Sequence, residues 1–133
     1  MHINFTFLCD AASQGANGKI DALGIGVSRL FASALPVQHP MLFAVAEVAY
    51  NAMEAGPKAM ALRLIDADGR DVIPPVNSEF FLAAIADNPA CVAHLILQFA
   101  MVQFTAFGDY AVELAIDGRP IASLPLAIVQ AAT

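Results

Sequence analysis

The sequence predicts an all-β fold, a two-sheet antiparallel β-sandwich of about eight strands that spans residues 1–133 as a single domain. Three observations support this prediction. Apolar residues recur at every second position in most apolar segments, which is the period of a strand with one buried face. Turn residues separate these segments at nearly regular intervals, as is typical of sandwiches and barrels. The length of 133 residues suits one hydrophobic core.

The N-terminal third contains two predicted strands. Residues 3–9 carry apolar side chains at every odd position and therefore predict a strand with one apolar face. Residues 13–18, rich in Ser, Gly and Asn, are predicted as a loop. Residues 19–33 are predicted as a second, long strand, in which Gly24 and Gly26 indicate a bend or a close backbone approach.

The next segment fits two kinds of secondary structure. Pro36 and Pro40 predict a turn that places His39 in a loop. The alanines of residues 41–52 would also suit a helix. Its aromatic and β-branched residues, among them Tyr50, suit a pleated surface better, so we predict a strand.

Two hairpins are the clearest local signals in the sequence. An alternating apolar stretch in residues 60–73 is interrupted at residues 66–70 by a turn in which Gly69 can adopt positive φ. The Asp117-Gly118 pair predicts a second tight hairpin of the same general kind.

Three further predictions concern the C-terminal half. Residues 79–84 are a short strand candidate, residues 87–89 form a turn, and residues 92–104 form a long strand with two partly apolar faces. The last strand contains Pro125, which cannot donate a backbone hydrogen bond. We therefore expect this strand to lie at a sheet edge or to be bulged at the proline.

The composition is unusually apolar for a small domain. Hydrophobic residues make up 59% of the chain and charged residues 14%, a balance that excludes intrinsic disorder. We expect some of these apolar side chains to face outward. Alanines also occupy positions where a solvent-exposed sheet face would normally carry charged residues, among them Ala44, Ala46 and Ala59. We predict a self-association surface whose candidate residues are Ala61, Arg63, Ile65, Ala111, Glu113, Ala115, Ala122 and Pro125.

Charge and targeting signals exclude several partner classes. The formal net charge is −6, and the six basic residues are scattered, so we expect no nucleic-acid binding. Polar residues interrupt the longest apolar stretch, residues 90–108, which argues against a membrane span. The N-terminus has no basic region followed by a long apolar run, so we expect a cytoplasmic protein.

Candidate chemistry is sparse. Asp66, Asp68 and Asp71 surround Gly69 and are weak candidates for a Ca²⁺ site, although Asp and Gly are also the ordinary residues of a hairpin turn. The EF-hand pattern fails because Asn77 stands where its closing glutamate would be. We therefore favour the turn, and we expect no cofactor.

The histidines and cysteines do not form a recognisable catalytic motif. His94 lies three residues after Cys91, which places the two side chains on opposite faces of a strand. Cys9 and Cys91 both lie in apolar contexts, so two reduced core thiols are favoured over a disulfide. No catalytic residue is assigned.

Several turn and strand segments together resemble a family of small bacterial proteins known only as a domain of unknown function. These segments are residues 7–12, 18–20, 23–24, 39–40, 64–70, 108–110, 117–119 and 124–126. The resemblance spans nearly the whole chain and implies an immunoglobulin-like or jelly-roll-like sandwich. It brings no catalytic residues.

The leading hypothesis for function is a non-enzymatic interaction or assembly module that forms homo-oligomers through apolar sheet faces or an open edge strand, or that binds another protein. The first alternative is a carrier of small apolar ligands, with a pocket between the sheets. Its predicted lining residues are Phe5, Phe7, Leu97, Phe99 and Tyr110. The least favoured alternative is a hydrolytic enzyme, which a cleft joining His94 to Asp or Glu residues would support.

Overall fold

The computed structural model describes residues 1–85 and 91–132, and this part of the chain is all-β, as predicted. Its regular elements are ten strands and one short 3₁₀ turn, Ala52–Glu54. The strands are β1 (His2–Cys9), β2 (Ala11–Gln14), β3 (Ile20–Leu23), β4 (Arg29–Ala32), β5 (Val37–Tyr50), β6 (Gly56–Asp66), β7 (Val76–Leu82), β8 (Cys91–Phe104), β9 (Gly108–Ile116) and β10 (Arg119–Gln130).

The described strands form three sheets, which differs from the predicted two sheets of about eight strands. One sheet has the order β1-β5-β8, a second has the order β4-β10-β9-β6-β7, and β2 pairs with β3 as a two-stranded ribbon. The pairing is antiparallel throughout, except that β4 runs parallel to β10. The additional strands are the short ones, which carry too few residues for a clear period-two signal.

One hydrophobic cluster joins the two larger sheets. It contains inward-facing side chains of the three-stranded sheet, such as Val48 and Phe104, and of the five-stranded sheet, such as Leu64 and Ile128. Each of these side chains is almost completely buried. The alternation that predicts the strands therefore also selects the residues of this core.

The long strand predicted for residues 19–33 is wrong, because the chain turns between β3 and β4. Gly24 and Gly26 adopt positive φ values of 67° and 97°, a region that L-residues rarely occupy. A side chain at Gly24 would also collide with the carboxylate of Asp10. The bend indicated by these two glycines is therefore real, but it ends one strand and separates it from another.

The predicted turn at Pro36 and Pro40 is also wrong, because Val37–Tyr50 is a continuous strand that includes His39 and Pro40. The strand predicted for residues 41–52 is confirmed. Pro40 falls opposite Met101 in the register with β8. Before this point β8 buries the side of the strand that carries Phe99, and after it β8 buries the opposite side, which carries Val102. The buried side of β5 changes at the same place. The sheet therefore bends where the proline lies.

The bend places Met101 in a strained conformation, with a φ of 55°. A left-handed conformation costs a non-glycine residue roughly 1–2 kcal/mol. We expect Met101→Gly to raise the free energy of unfolding by about 1 kcal/mol, because this exposed side chain loses little packing. Urea denaturation measures the change. Met41→Gly is the matched control, since Met41 is an exposed methionine of the paired strand without this strain, and it should lower stability. A less stable Met101→Gly variant would contradict the strain argument.

Both predicted hairpin turns are present, but one return strand differs. Asp117 and Gly118 both have positive φ, at 51° and 77°, as a two-residue type I′ turn requires. After the turn at residues 66–70, the chain makes only an isolated bridge between Ile65 and Asp71. The strand that pairs with β6 is β7, which overlaps the short strand predicted at residues 79–84 but begins three residues earlier and ends two residues earlier.

The turn before β8 and the proline of β10 are the last two features predicted for the C-terminal half. The turn predicted at residues 87–89 lies outside the described residues. Pro125 lies in the half of β10 that pairs with β9 only, since β4 covers only the last four residues of β10, from Ala127 to Gln130. The local register shift of β10 falls earlier, between Pro120 and Ala122, so Pro125 itself is not bulged.

Candidate functional site

The outer face of the five-stranded sheet brings together seven of the eight predicted interface residues. Buried side chains such as Leu62 and Leu64 point into the core, so the odd-numbered residues of β6 and β9 point outward. The register places these outward residues directly opposite one another in three rows. The rows are Ala61 with Ala115, Arg63 with Glu113, and Ile65 with Ala111, and Pro125 follows Ala111 on β10.

This outer face keeps partial solvent exposure along its whole width. Among the described residues, the only helical element is a three-residue turn, and the ribbon contacts the other large sheet, so no element packs over the face. Two phenylalanines border it on the edge strands: Phe31 of β4 is 66% exposed and Phe81 of β7 is 71% exposed. A surface of this kind, with few charges and two exposed aromatic rings, is typical of a protein contact.

A single cation lies at the centre of the face. The Arg63 Nε donates to Asp71 Oδ1 at 2.9 Å, and Arg63 Nη2 donates to the carbonyl oxygen of Gly69 at 3.4 Å. The hydrogen bond and charge of Asp71 raise the pKa of the guanidinium, and Glu113 on the neighbouring strand adds to this effect. The centre of the face therefore has one positive charge between two carboxylates, and further charges lie toward the edges, on Arg29 of β4, Glu79 of β7 and Asp109 at the start of β9.

Three alanines predicted on the surface face the core instead. Ala122 lies opposite Leu114 and packs against the hydrophobic cluster, so its assignment to the interface was wrong. Ala122 and Pro125 are three residues apart in a regular stretch of β10, so their side chains lie on opposite faces. Ala44 and Ala46 are buried members of the cluster because they share a face with Leu42.

The acidic turn at residues 66–71 uses its carboxylates for internal hydrogen bonds. Asp66 Oδ1 accepts hydrogen bonds from the backbone N–H of Asp68 at 2.9 Å and of Arg70 at 3.0 Å. Asp71 is bonded to Arg63, and Asp68 is exposed. Within residues 1–85 and 91–132, no three His, Cys, Asp or Glu side chains are close enough together to hold a metal ion.

The ribbon formed by β2 and β3 lies over the outer face of the three-stranded sheet, where it contacts β5 and β8. An open cleft of about 780 Å³ separates it from β1. The lining is mostly apolar and consists of Phe5, Phe7, Ala11, Ala12, Ser13, Ile20, Asp21, Ala22, Leu23 and Ile25. The ribbon replaces the loop predicted for residues 13–18, and a Gly-rich turn between two short apolar stretches is the hairpin signal that could have predicted it.

The predicted ligand-pocket residues do not surround a common cavity. Phe5 and Phe7 line the ribbon cleft, whereas Phe99 and Tyr110 are buried in the core. The space between the sheets beside Leu97 measures about 10 Å³. That is room for one water molecule at most.

A polar network joins the ribbon to the sheet beneath it. The His94 Nε2 lies 2.8 Å from Glu47 Oε1, and His94 Nδ1 lies 2.9 Å from the carbonyl oxygen of Gly18 at the ribbon tip. The Asn4 side-chain amide donates to Glu47 Oε2 at 2.9 Å. These bonds, led by that of Asn4, lower the pKa of Glu47. Both imidazole nitrogens therefore have a hydrogen-bond partner in this arrangement.

The two cysteines lie in different parts of the fold. Cys9 is buried, its thiol donates to the carbonyl oxygen of Ala11 at 3.4 Å, and burial raises its pKa. Cys91 packs with Tyr50 and Leu82 in a small separate cluster. Cys91 and His94 lie three residues apart on β8, which places their side chains on opposite faces of the strand.

These features define the class as an all-β protein with an uncovered sheet face and a ribbon held over the opposite sheet. Residues 4–129 match the model of DUF6941, a family of unknown function, and the chain belongs to that family. This confirms the predicted resemblance to an uncharacterised family. The comparison with curated proteins gives no match. No helix in the described residues is long and apolar enough to span a membrane.

Proposed function

We propose that this protein is a non-enzymatic assembly module that forms a two-fold homodimer through the outer face of its five-stranded sheet. The observation that carries the proposal is the concentration of small and apolar side chains in adjacent rows of a face that keeps solvent exposure. Small side chains allow two sheets to approach to about 10 Å, the usual spacing of packed sheets.

The size of the face suits such a dimer. Five strands about 4.8 Å apart and roughly seven residues long present a projected area of about 500 Å². The solvent-accessible area is larger than the projected area because side chains protrude from the face, among them Phe31 and Phe81 at its borders. The accessible area therefore approaches the roughly 800 Å² per partner of a standard interface.

The charges on the face also suit a second copy of the same chain. Arg63 and Glu113 are direct cross-strand neighbours near the centre. A two-fold axis through this point places Arg63 of each copy beside Glu113 of the other, so the surface is complementary to itself.

A charge placed inside the face tests the dimer. We expect Ala111→Arg to weaken dimerisation by about 100-fold or more, because each copy would insert a long charged side chain into a face that packs through small residues. Sedimentation equilibrium over a range of protein concentrations measures the dissociation constant. The matched control is Ala100→Arg, an exposed alanine on the other sheet, which should leave it unchanged. A wild-type monomer at several hundred micromolar, or equal effects of both variants, would contradict the proposal.

The proposed overall architecture is a sandwich of the three-stranded and five-stranded sheets, of immunoglobulin-like or jelly-roll-like type. The hydrophobic cluster that both sheets share supports this arrangement. In a sandwich, one face of each sheet is buried and the other is left for contacts, which is the situation that the proposed dimer requires.

A second candidate function is a carrier of small apolar ligands, and the ribbon cleft is the observation that favours it. Its volume of about 780 Å³ is that of a ligand site, and its lining is mostly apolar. Titration of the Ala111→Arg variant with an apolar fluorescent probe separates the two functions. Saturable binding of one probe per chain supports a carrier, and binding no stronger than to the surface of a control protein counts against it.

A further inference from the structure

We propose that His94 is a protonation-dependent latch that holds the tip of the β2–β3 ribbon on the three-stranded sheet. The inference is independent of the proposed dimer, because the latch lies on the other large sheet. It rests on the two acceptors that face the imidazole, Glu47 Oε1 at 2.8 Å and the Gly18 carbonyl oxygen at 2.9 Å.

The number of N–H groups that the imidazole must supply determines its charge when the ribbon tip is bound. A carbonyl oxygen and a carboxylate oxygen both accept hydrogen bonds, so each requires an N–H on the nitrogen that it faces. A neutral imidazole has only one N–H, whereas an imidazolium has two. The closed ribbon therefore matches the protonated ring.

Deprotonation removes one of the two bonds, and the partners differ in strength. The charged carboxylate of Glu47 is the stronger acceptor, so the remaining proton stays on Nε2. The Nδ1 lone pair then faces the lone pairs of the Gly18 oxygen, which is repulsive. The ribbon tip, rather than the Glu47 contact, is therefore released as the pH rises.

The surroundings of the ring strengthen this coupling. The side chains of His94 and Glu47 are only 15% and 19% exposed, so water screens their interaction weakly. From β1 the ring meets Phe5, at a centroid distance of 6.4 Å, and Asn4 bonds to Glu47. The titratable group bonded to His94 in the described structure is Glu47, and the nearest charged residues of the ribbon along the chain are Lys19 and Asp21.

The carboxylate of Glu47 stays charged toward low pH. The hydrogen bonds from Asn4 and His94 lower the pKa of Glu47, so its carboxylate persists below the usual range. A group with a lowered pKa stabilises the folded arrangement above its unfolded pKa, and this contribution is lost as the pH falls through the folded value. Loss of this charge weakens the Glu47 contact but leaves the N–H on Nδ1 that bonds to Gly18, so the ribbon tip stays bound at low pH.

The held ribbon forms one wall of the cleft and lies over part of the sheet face below. Ala12 and Ile20 belong to the ribbon and line the cleft opposite Phe5 and Phe7. Release of the tip separates these walls, so the protonation of His94 sets the width of the cleft.

Nuclear magnetic resonance of the full chain tests the latch directly. We expect the contact between the His94 ring protons and the Gly18 α-protons to be present at about pH 5 and lost at about pH 8, the range in which histidine titrates. The backbone amide shifts of Gly18 and Lys19 should change with the same midpoint as the His94 ring. If His94 titrates while the contact persists, the latch is wrong.

Three variants make the test specific. Glu47→Gln should keep the ribbon closed at both pH values, because the new amide can donate to a neutral Nε2 while Nδ1–H bonds to Gly18. His94→Phe should remove the pH step and leave the tip released throughout. His2→Phe is the matched control, since His2 is exposed on β1, and it should retain the wild-type step. A wild-type step in Glu47→Gln or His94→Phe would overturn the assignment.

Discussion

Replacement of Phe104 by alanine is expected to lower the free energy of unfolding by about 4 kcal/mol. Phe104 has no solvent-exposed surface and ends β8 in the core shared by both large sheets. Its ring meets that of Tyr110 edge to face, with the centroids 5.0 Å apart. Removal of the ring therefore leaves a cavity and also removes an aromatic contact of roughly 1 kcal/mol.

The measurement is urea or thermal unfolding at a protein concentration low enough to keep the chain monomeric. The matched control is Phe81→Ala, because Phe81 is 71% exposed at the sheet edge. Its truncation should change the stability by less than about 0.5 kcal/mol. Similar losses in the two variants would show that the core does not lie where the fold places it.

Long strands were predictable from the sequence because each repeats the same signal several times. The alternation in β9, Gly108–Ile116, and in β6, Gly56–Asp66, buries one side of each strand at several successive even-numbered positions. A four-residue strand shows at most two repeats, so β2, β3 and β4 could not be separated from loops by this criterion. The short strands account for the difference between the predicted and the observed sheets.

The errors within strands have two different causes. Pro40 has the features of a turn residue, but β5 accepts it opposite the left-handed Met101. This outcome depends on the partner strand, which local sequence does not contain. Ala122 lies three residues before Pro125 in a regular part of β10, so the period of two already places the two side chains on opposite faces.

The sequence predicts most residues of the outer sheet face but not the residues of the His94 latch. Alternation alone assigned residues such as Ala61 and Ala115 to an outward face, and only their rows required the register. The latch joins Gly18, Glu47 and His94, and the partners of His94 lie 76 and 47 residues away along the chain. No spacing rule connects such distant positions, so that site emerged only from the fold.

The turn formed by residues 66–70 offers the second large expected effect. Asp66→Ala should lower the free energy of unfolding by about 2 kcal/mol, because Oδ1 of Asp66 accepts the backbone hydrogen bonds of both Asp68 and Arg70. Asp68→Ala is the matched control, since Asp68 is exposed, and it should change stability by less than about 0.5 kcal/mol. Chemical denaturation compares the two variants.

A third variant separates the turn from the predicted Ca²⁺ site. Asp66→Asn retains the Oδ1 acceptor but removes the charge, so it should lie within about 1 kcal/mol of the wild type if the carboxylate serves the turn. A cation site depends on carboxylate charge and would lose affinity in the same variant. Unfolding of the wild type and of Asp66→Asn is measured with and without millimolar Ca²⁺. Stabilisation by Ca²⁺ that disappears in Asp66→Asn would contradict the turn assignment. No effect of Ca²⁺ on either protein, with the two stabilities within about 1 kcal/mol of each other, would support it.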